Sequence, residues 1–199
     1  ANISRTDLVI DGAREVHWSW FEGDLNRLMD SEPVQYVVGK AFFMDNFLEV
    51  NPATLIPRPE TEELVRELVK YVPLNEAIVV DVGTGSGCIP LGIKILRPQW
   101  DIRGIDIQDL AVQTAQKNAN LWKLDVKFEK ADLFQLESLE ADIIISNPPY
   151  IPRRDSATMA SHVVGEEPDI ALFVPDDEPL IYYETILKKV IKQERSDSI

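Results

Sequence analysis

The run Val79-Val-Asp-Val-Gly-Thr-Gly-Ser-Gly-Cys88 decides the fold. A continuous apolar strand passes into three glycines, Gly83, Gly85 and Gly87, and an apolar segment with helical character opens at Cys88. Strand, tight glycine turn and helix in that order begin a parallel α/β sheet whose first turn meets a ligand, because only glycine turns so sharply and lets a ligand approach the backbone. The spacing is G-x-G-x-G, which differs from the G-x-G-x-x-G of dinucleotide folds, and no Lys-Ser/Thr follows for a phosphate loop. Asp81, just before the turn, suits the ammonium end of a zwitterion and has no use at a pyrophosphate. The combination points to S-adenosyl-L-methionine, with Thr84 and Ser86 inside the loop as further contacts. A nicotinamide cofactor is the alternative, and a glycine-rich turn taken alone also serves simply as a turn.

Downstream, short apolar strands alternate with helical stretches, the texture of a parallel sheet covered on both faces. Strands are expected over 77–82, 102–107, 126–129 and 142–146, with helices over 88–96 and 110–122 and a last helix over 180–191. Asp106 falls at the end of the second strand, where a carboxylate can accept hydrogen bonds from both hydroxyls of a ribose. Asp132 follows the third strand, placed to bind an adenine amino group while Leu133 packs on the ring. Each of these acids read singly is as well explained as a helix cap or a solvated residue.

The fourth strand runs into Ile145-Ser-Asn-Pro-Pro-Tyr150, the most specific motif in the chain. An amide or exocyclic amino nitrogen is a poor nucleophile because its lone pair is delocalised. The side-chain oxygen of Asn147 and the carbonyl of Pro148 can each accept one of its two N–H groups and so orient it towards a methyl donor. Pro148 and Pro149 stiffen the backbone that carries this carbonyl, and Tyr150 offers an aromatic face to a flat target. An isolated Asn-Pro-Pro-Tyr also reads as a rigid turn, but an oxidoreductase has no role for it, which separates the methyl-transfer reading from the nicotinamide one.

Towards the N-terminus, Leu8, Trp18, Phe21, Leu25 and Leu28 recur at helical spacing, and residues 1–33 read as a small helical domain. The apolar runs Tyr36-Val-Val, Ala41-Phe-Phe-Met and Phe47-Leu-Glu-Val, broken at Asp45-Asn46, suggest a β-hairpin connector over 34–60. The main domain would then occupy 61–199, opening with a helix over 62–71 capped by Thr61 and carrying Leu64, Val65 and Leu68 on one face. The chain has 199 residues and a formal net charge of −14, which disfavours binding through nucleic-acid phosphates and fits a basic protein partner. The single cysteine, Cys88, excludes an intramolecular disulfide and reads as a small buried residue in preference to a thiolate. His17 and His162 lack partner ligands, so no metal is expected, and Trp18 and Trp20 suit either packing or a partner surface. With no apolar run long enough for a bilayer and no secretory pattern at the start, the cytoplasm is the expected location.

The stretches Ile3-Ser-Arg-Thr-Asp-Leu, Pro33-Val-Gln-Tyr-Val-Val-Gly, Leu55-Ile-Pro-Arg-Pro-Glu-Thr-Glu-Glu-Leu-Val, the glycine loop, Ile105-Asp-Ile, Ala131-Asp-Leu-Phe, Ser146-Asn-Pro-Pro-Tyr-Ile-Pro and Glu167-Pro-Asp-Ile-Ala-Leu-Phe together resemble the HemK family of N5-glutamine methyltransferases. That resemblance implies a class I S-adenosylmethionine-dependent, Rossmann-like sheet behind a helical N-terminal domain. It implies methylation of the Gly-Gly-Gln glutamine of peptide chain release factors; a monomer is the expected state. It also implies that Gly83 to Gly87, Asp106 and Asn147 touch the cofactor, that Asn147, Pro148, Pro149 and Tyr150 hold the glutamine, and that Arg58, as a further substrate contact, and Glu62 lie near the mouth of the site; a surface ion pair with a nearby Glu explains Arg58 equally well. The family's last strands are missing, so the domain is expected to be C-terminally incomplete, since a sheet ending at its fourth strand would bare an apolar edge. Other readings remain open: a glutamine methyltransferase acting on a ribosomal protein, a DNA or RNA adenine methyltransferase using the same tetrapeptide on a flipped base, and a non-catalytic relative that keeps the cofactor fold.

Overall fold

The computed structural model describes residues 21–159 and 165–196. Most of the expected helical domain, with Trp18, Trp20 and His17, lies outside these residues, as does His162. Helix α1 (Phe21–Met29) buries none of its residues and leads into α2 (Val34–Val38). Strands β1 (Lys40–Phe43) and β2 (Asn46–Glu49) form the hairpin, α3 (Pro59–Tyr71) follows, and then the sheet begins. It runs β3 (Ile78–Val82), α4 (Cys88–Leu96), β4 (Asp101–Asp106), α5 (Asp109–Trp122), β5 (Lys127–Lys130) and β6 (Ile143–Ser146). Beyond it come β7 (Ile151–Pro152), a 3-10 helix (Arg153–Thr158), α6 (Asp169–Leu172), β8 (Phe173–Val174) and α7 (Ile181–Ser196).

The four central strands are all parallel in the order β5-β4-β3-β6. Alternation along β3 explains how it is covered on both faces. Val79 packs with Ile102, Val126, Ile145 and the helical residues Val65, Leu91 and Ile93 in one core, whereas Val80 and Val82 join Ile105, Leu133 and Leu139 in a second core against Tyr182 and Ile186 of α7. Trp100, wholly buried in the first core, donates its indole N–H to the Leu74 carbonyl at 3.2 Å. The strand order turns back between β3, which leads to β4 on one side, and β6 on the other, so the carboxyl ends of these strands open into a crevice where ligands bind in such sheets. Among the described residues no helix is long and apolar enough to cross a membrane.

Three local expectations are corrected. The Tyr36-Val-Val run is not a strand: it lies in α2, which Gly39 ends at φ 73° with its N–H on the Gln35 and Tyr36 carbonyls. The β-branched composition misled here, because Pro33 before the run and Gly39 after it frame a single helical turn. The hairpin turns one residue earlier than Asp45-Asn46, at Met44 and Asp45, with φ 49° and 62°. Two consecutive left-handed residues match the twist of a two-residue hairpin, and Asn46 steadies them by donating to the Met44 carbonyl at 2.8 Å. Helix α3 starts at Pro59, with Arg58 and not Thr61 at the cap, because proline at the first helical position needs no N–H partner. Thr61 is instead buried inside its first turn, and Leu64 remains 38% exposed while Val65 faces the core.

Candidate functional site

The glycine loop takes the shape its sequence demands. Gly83, Gly85 and Gly87 all have positive φ, at 74°, 55° and 81°. The N–H groups of Gly83 and Thr84 both donate to the Ile105 carbonyl, at 2.9 and 3.0 Å, which locks the loop to the end of β4. Nothing lies within 4 Å of where a Cβ would stand on Gly83 or Gly85, so the outer side of the loop is open space. Below the loop the packing is tight: a Cβ on Gly104 would meet the Thr84 hydroxyl at 2.5 Å and the Phe128 ring at 2.7 Å.

A cleft open to solvent spreads over the carboxyl ends of the strands. Gly83, Thr84, Gly85, Ser86, Asp106, Asp132, Leu133, Asn147, Pro148, Pro149 and Arg58 all line it, which brings most of the sequence-predicted residues together. Asp81, Gly87 and Tyr150 do not line it: Asp81 is fully buried under the loop, Gly87 packs against Ala115 and Phe128, and Tyr150 is 57% exposed. Glu62, expected near the mouth, points elsewhere and accepts the Met44 N–H at 2.9 Å, bracing the hairpin turn.

The acids differ in their surroundings. Both carboxylate oxygens of Asp81 lack a hydrogen-bond partner, as do the buried hydroxyls of Thr84 and Ser86. Burial pushes the Asp81 carboxyl up to about 7, with the Asp106 carboxylate adding to the rise and the Thr84 hydroxyl opposing it. Asp106 accepts the Gly85 N–H through one oxygen and the Gln108 N–H through the other, each at 2.9 Å, and still has lone pairs to offer. Its burial raises its pKa while those backbone donors oppose the rise. Asp132 accepts the Phe134 N–H at 2.9 Å, and the Phe134 ring packs on Tyr182 with centroids 5.3 Å apart. Burial, followed by the Asp132 and Asp106 carboxylates, pushes the Tyr182 hydroxyl up, so this residue at the same end of the cleft stays neutral.

At the other side, the Ser146 hydroxyl donates to the Val82 carbonyl at 2.7 Å, fastening the end of β6 to the end of β3 immediately before Asn147. Pro148 is buried, and the half-buried Asn147 side chain makes no hydrogen bond to a described group, which leaves its amide available to a ligand. Cys88 also lines the cleft, and burial pushes its thiol up to about 12, which keeps it protonated.

Sequence reasoning missed Glu167. Its side chain is 1% exposed, it accepts from an Arg58 guanidinium nitrogen at 2.5 Å, and its second oxygen lies 3.4 Å from the Ile56 N–H. An ion pair with a glutamate is the other reading of Arg58, but the partner lies 109 residues away and its carboxylate is buried, which no periodicity or spacing reveals. Tyr182 was missed as well, because a tyrosine in a helix carries no signal of what it faces. Among the described residues no group of three or more His, Cys, Asp or Glu side chains is placed to hold a metal ion.

The glycine loop, the strand-end carboxylates and the available asparagine amide over one reversal of strand order define a protein of the class I methyltransferase type. The family model of the methyltransferase small domain matches residues 60–168. A release factor glutamine methyltransferase of Flavobacterium psychrophilum is 40% identical over 186 residues, 90% of this chain and 64% of its own length. The Streptococcus pneumoniae and Staphylococcus aureus enzymes of the same name are 38% and 35% identical, covering 91% and 93% of this chain and 66% and 68% of their own lengths. The chain belongs to the release factor glutamine methyltransferase family. It spans about two thirds of the length of these relatives. Among solved structures, the catalytic domain of hMettl16 in complex with an RNA hairpin shares the fold, with a TM-score of 0.56 and 18% identity over 73% of this chain and 56% of that one.

Proposed function

We propose that this protein transfers a methyl group from S-adenosyl-L-methionine to the side-chain amide nitrogen of a glutamine, in the Gly-Gly-Gln motif of peptide chain release factors. The observation that carries the reading is Asn147, with an uncommitted amide, on the wall of the same cleft as the glycine loop. The cleft fits the cofactor on chemical grounds: unpartnered buried oxygens beneath the loop, open space above it, and carboxylates at successive strand ends. When bound, S-adenosyl-L-methionine supplies a methyl group on a sulfonium, whose leaving group is the neutral thioether S-adenosylhomocysteine.

The chain's own residues do the rest by positioning. Asp81 would compensate the ammonium of the cofactor, Gly83 to Gly87 would pass beneath it, Asp106 would take the ribose hydroxyls, and Asp132 with Leu133 would hold the adenine. Asn147 and the Pro148 carbonyl would accept the two amide N–H groups of the glutamine, turning the nitrogen lone pair to the methyl carbon. The methylated amide nitrogen would carry a positive charge until it gave up one proton to solvent. Pro149 would keep that carbonyl fixed, and Tyr150, outside the cleft lining, would cover the glutamine from the solvent side. Orientation of this kind supplies a large share of the barrier reduction, up to roughly 7–11 kcal/mol in well-aligned intramolecular cases.

The expected partner is a release factor, met by a monomer of this protein in the cytoplasm, with residues 1–33 as a substrate-recognising domain, 34–60 as connector and 61–199 as the catalytic domain. The net charge of −14 favours a protein over a phosphate-rich substrate. Incubating the protein with S-adenosyl-L-methionine and a bacterial release factor, then weighing the Gly-Gly-Gln peptide, tests the whole reading. One added methyl on the glutamine is the expected result. Cofactor binding with methyl transfer only to a ribosomal protein or to adenine in nucleic acid would replace the substrate, and no cofactor binding would leave a non-catalytic relative.

A further inference from the structure

Two walls of the cleft come from distant parts of the chain. Ile56, Pro57 and Arg58 line one side, ahead of α3, and Ile170 and Ala171 of α6 line another. Glu167, two residues before α6, does not line the cleft but holds the first wall to the second. One of its oxygens takes the Arg58 guanidinium and the other faces the Ile56 N–H, while its side chain is 1% exposed and that of Arg58 38%. Among the described residues that line the cleft, Arg58 is the only cation, and the two lining anions are Asp106 and Asp132.

A buried carboxylate on a guanidinium makes a nearly neutral pair. It cancels most of the attraction that Arg58 would have for an anion and leaves a planar fork whose remaining N–H groups still need acceptors. Such a fork suits neutral carbonyl oxygens. It is also held rigidly, since the buried carboxylate fixes the side chain by a charge-assisted hydrogen bond. Building on the methyl-transfer reading, we propose that Glu167 is a positioning residue that holds Arg58 across the cleft mouth, where the free guanidinium N–H groups bind main-chain carbonyls of the peptide carrying the target amide. Arg58 thereby selects a polypeptide segment in an extended or looped form, and Glu167 sets where that segment lies.

The test is steady-state methylation of a release factor by the full-length protein and its Glu167→Gln and Arg58→Lys variants, with calorimetry of S-adenosyl-L-methionine on each. Lysine keeps the charge of Arg58 but cannot fork, and it replaces a partly exposed side chain, so this variant is expected to fold even where Glu167→Gln does not. The expected result is a KM for the release factor raised about tenfold in both, kcat within about threefold of wild type, and cofactor affinity unchanged. In the double variant KM rises no further than in the singles, because the two residues act as one unit. Unchanged KM in Arg58→Lys, with an active wild type, overturns the inference alone. A fall in cofactor affinity matching the rise in KM also overturns it, because Arg58 then grips the cofactor carboxylate. An inactive wild type overturns the methyl-transfer reading itself and this inference with it.

Discussion

Asp81 is a carboxyl with no exposure and no hydrogen-bond partner on either oxygen, so its charged form opposes folding. Below its ordinary value of 3.8 both the folded and unfolded states hold the proton and no penalty exists. As pH rises the unfolded chain releases its proton first, and stability falls until the folded-state value of about 7 is passed, a loss on the order of 4 kcal/mol. Asp81→Asn is therefore expected to raise the Tm of the ligand-free protein at pH 8, with the gain shrinking towards pH 4. It should also weaken binding of S-adenosyl-L-methionine by at least about tenfold, the usual opposition of stability and binding at a site. Thermal unfolding at several pH values with calorimetry on the same samples reads both effects, and an unchanged Tm at pH 8 would show that Asp81 is not strained. Asn147 is the opposite kind of residue, partly exposed and without a partner, so Asn147→Ala is expected to leave Tm nearly unchanged and to cost far more in turnover, a fall in kcat of about 100-fold or more, than in cofactor affinity. Wild-type turnover in that variant would remove the role assigned to the residue.

Helix α5 joins the hairpin to the glycine loop, and a single amide makes the join. Asn118, fully buried, accepts the Glu49 N–H at 2.7 Å and donates to the carbonyls of Glu49 and Ser86, both at 2.9 Å. Asn118→Ala would strand three backbone groups, at a cost of roughly 2–4 kcal/mol. Denaturant unfolding should show that loss, and cofactor affinity should fall with it because the Ser86 carbonyl belongs to the loop. Gly104→Ala is a second element-scale test. Its Cβ would push on the Thr84 hydroxyl and the Phe128 ring, and a loss of about 1–3 kcal/mol is expected from such overpacking. The elements themselves were largely legible: helix α4 has the bounds its sequence predicts and each of the four central strands is displaced by a residue at most, because buried parallel strands and glycine turns leave strong local patterns. The short pieces were not. The turn Val34–Val38 has strand-like composition, and the two-residue strands Ile151–Pro152 and Phe173–Val174 pair with each other across the fold, so neither shows a period. The site followed the same division. Strand-end acids and Asn147 were readable from their place after apolar runs, whereas Glu167 and Tyr182 reach the site only through tertiary packing.

Across the whole molecule, charge makes a claim that no single residue does. The chain carries −14, while the cleft wall offers Arg58 already neutralised by Glu167, so long-range attraction to a partner comes from the acidic surface and not from the site. A basic protein approaching this surface is steered by a field that salt screens over a Debye length of about 10 Å at 0.1 M and roughly 3 Å at 1 M. The cofactor is small and meets its contacts at hydrogen-bond range, where screening has little reach. Raising the salt from about 50 to 500 mM is therefore expected to increase KM for a release factor several-fold and leave the dissociation constant of S-adenosyl-L-methionine within about twofold. Steady-state kinetics across a salt series, with parallel calorimetry, would measure both. A polyanionic substrate gives the reverse sign, because salt would then relieve repulsion between the phosphates and the acidic protein, and KM would fall before counterion effects on any local basic contacts reversed the trend. The slope of KM against salt thus separates a basic protein substrate from a nucleic acid without knowing which residues of either partner touch.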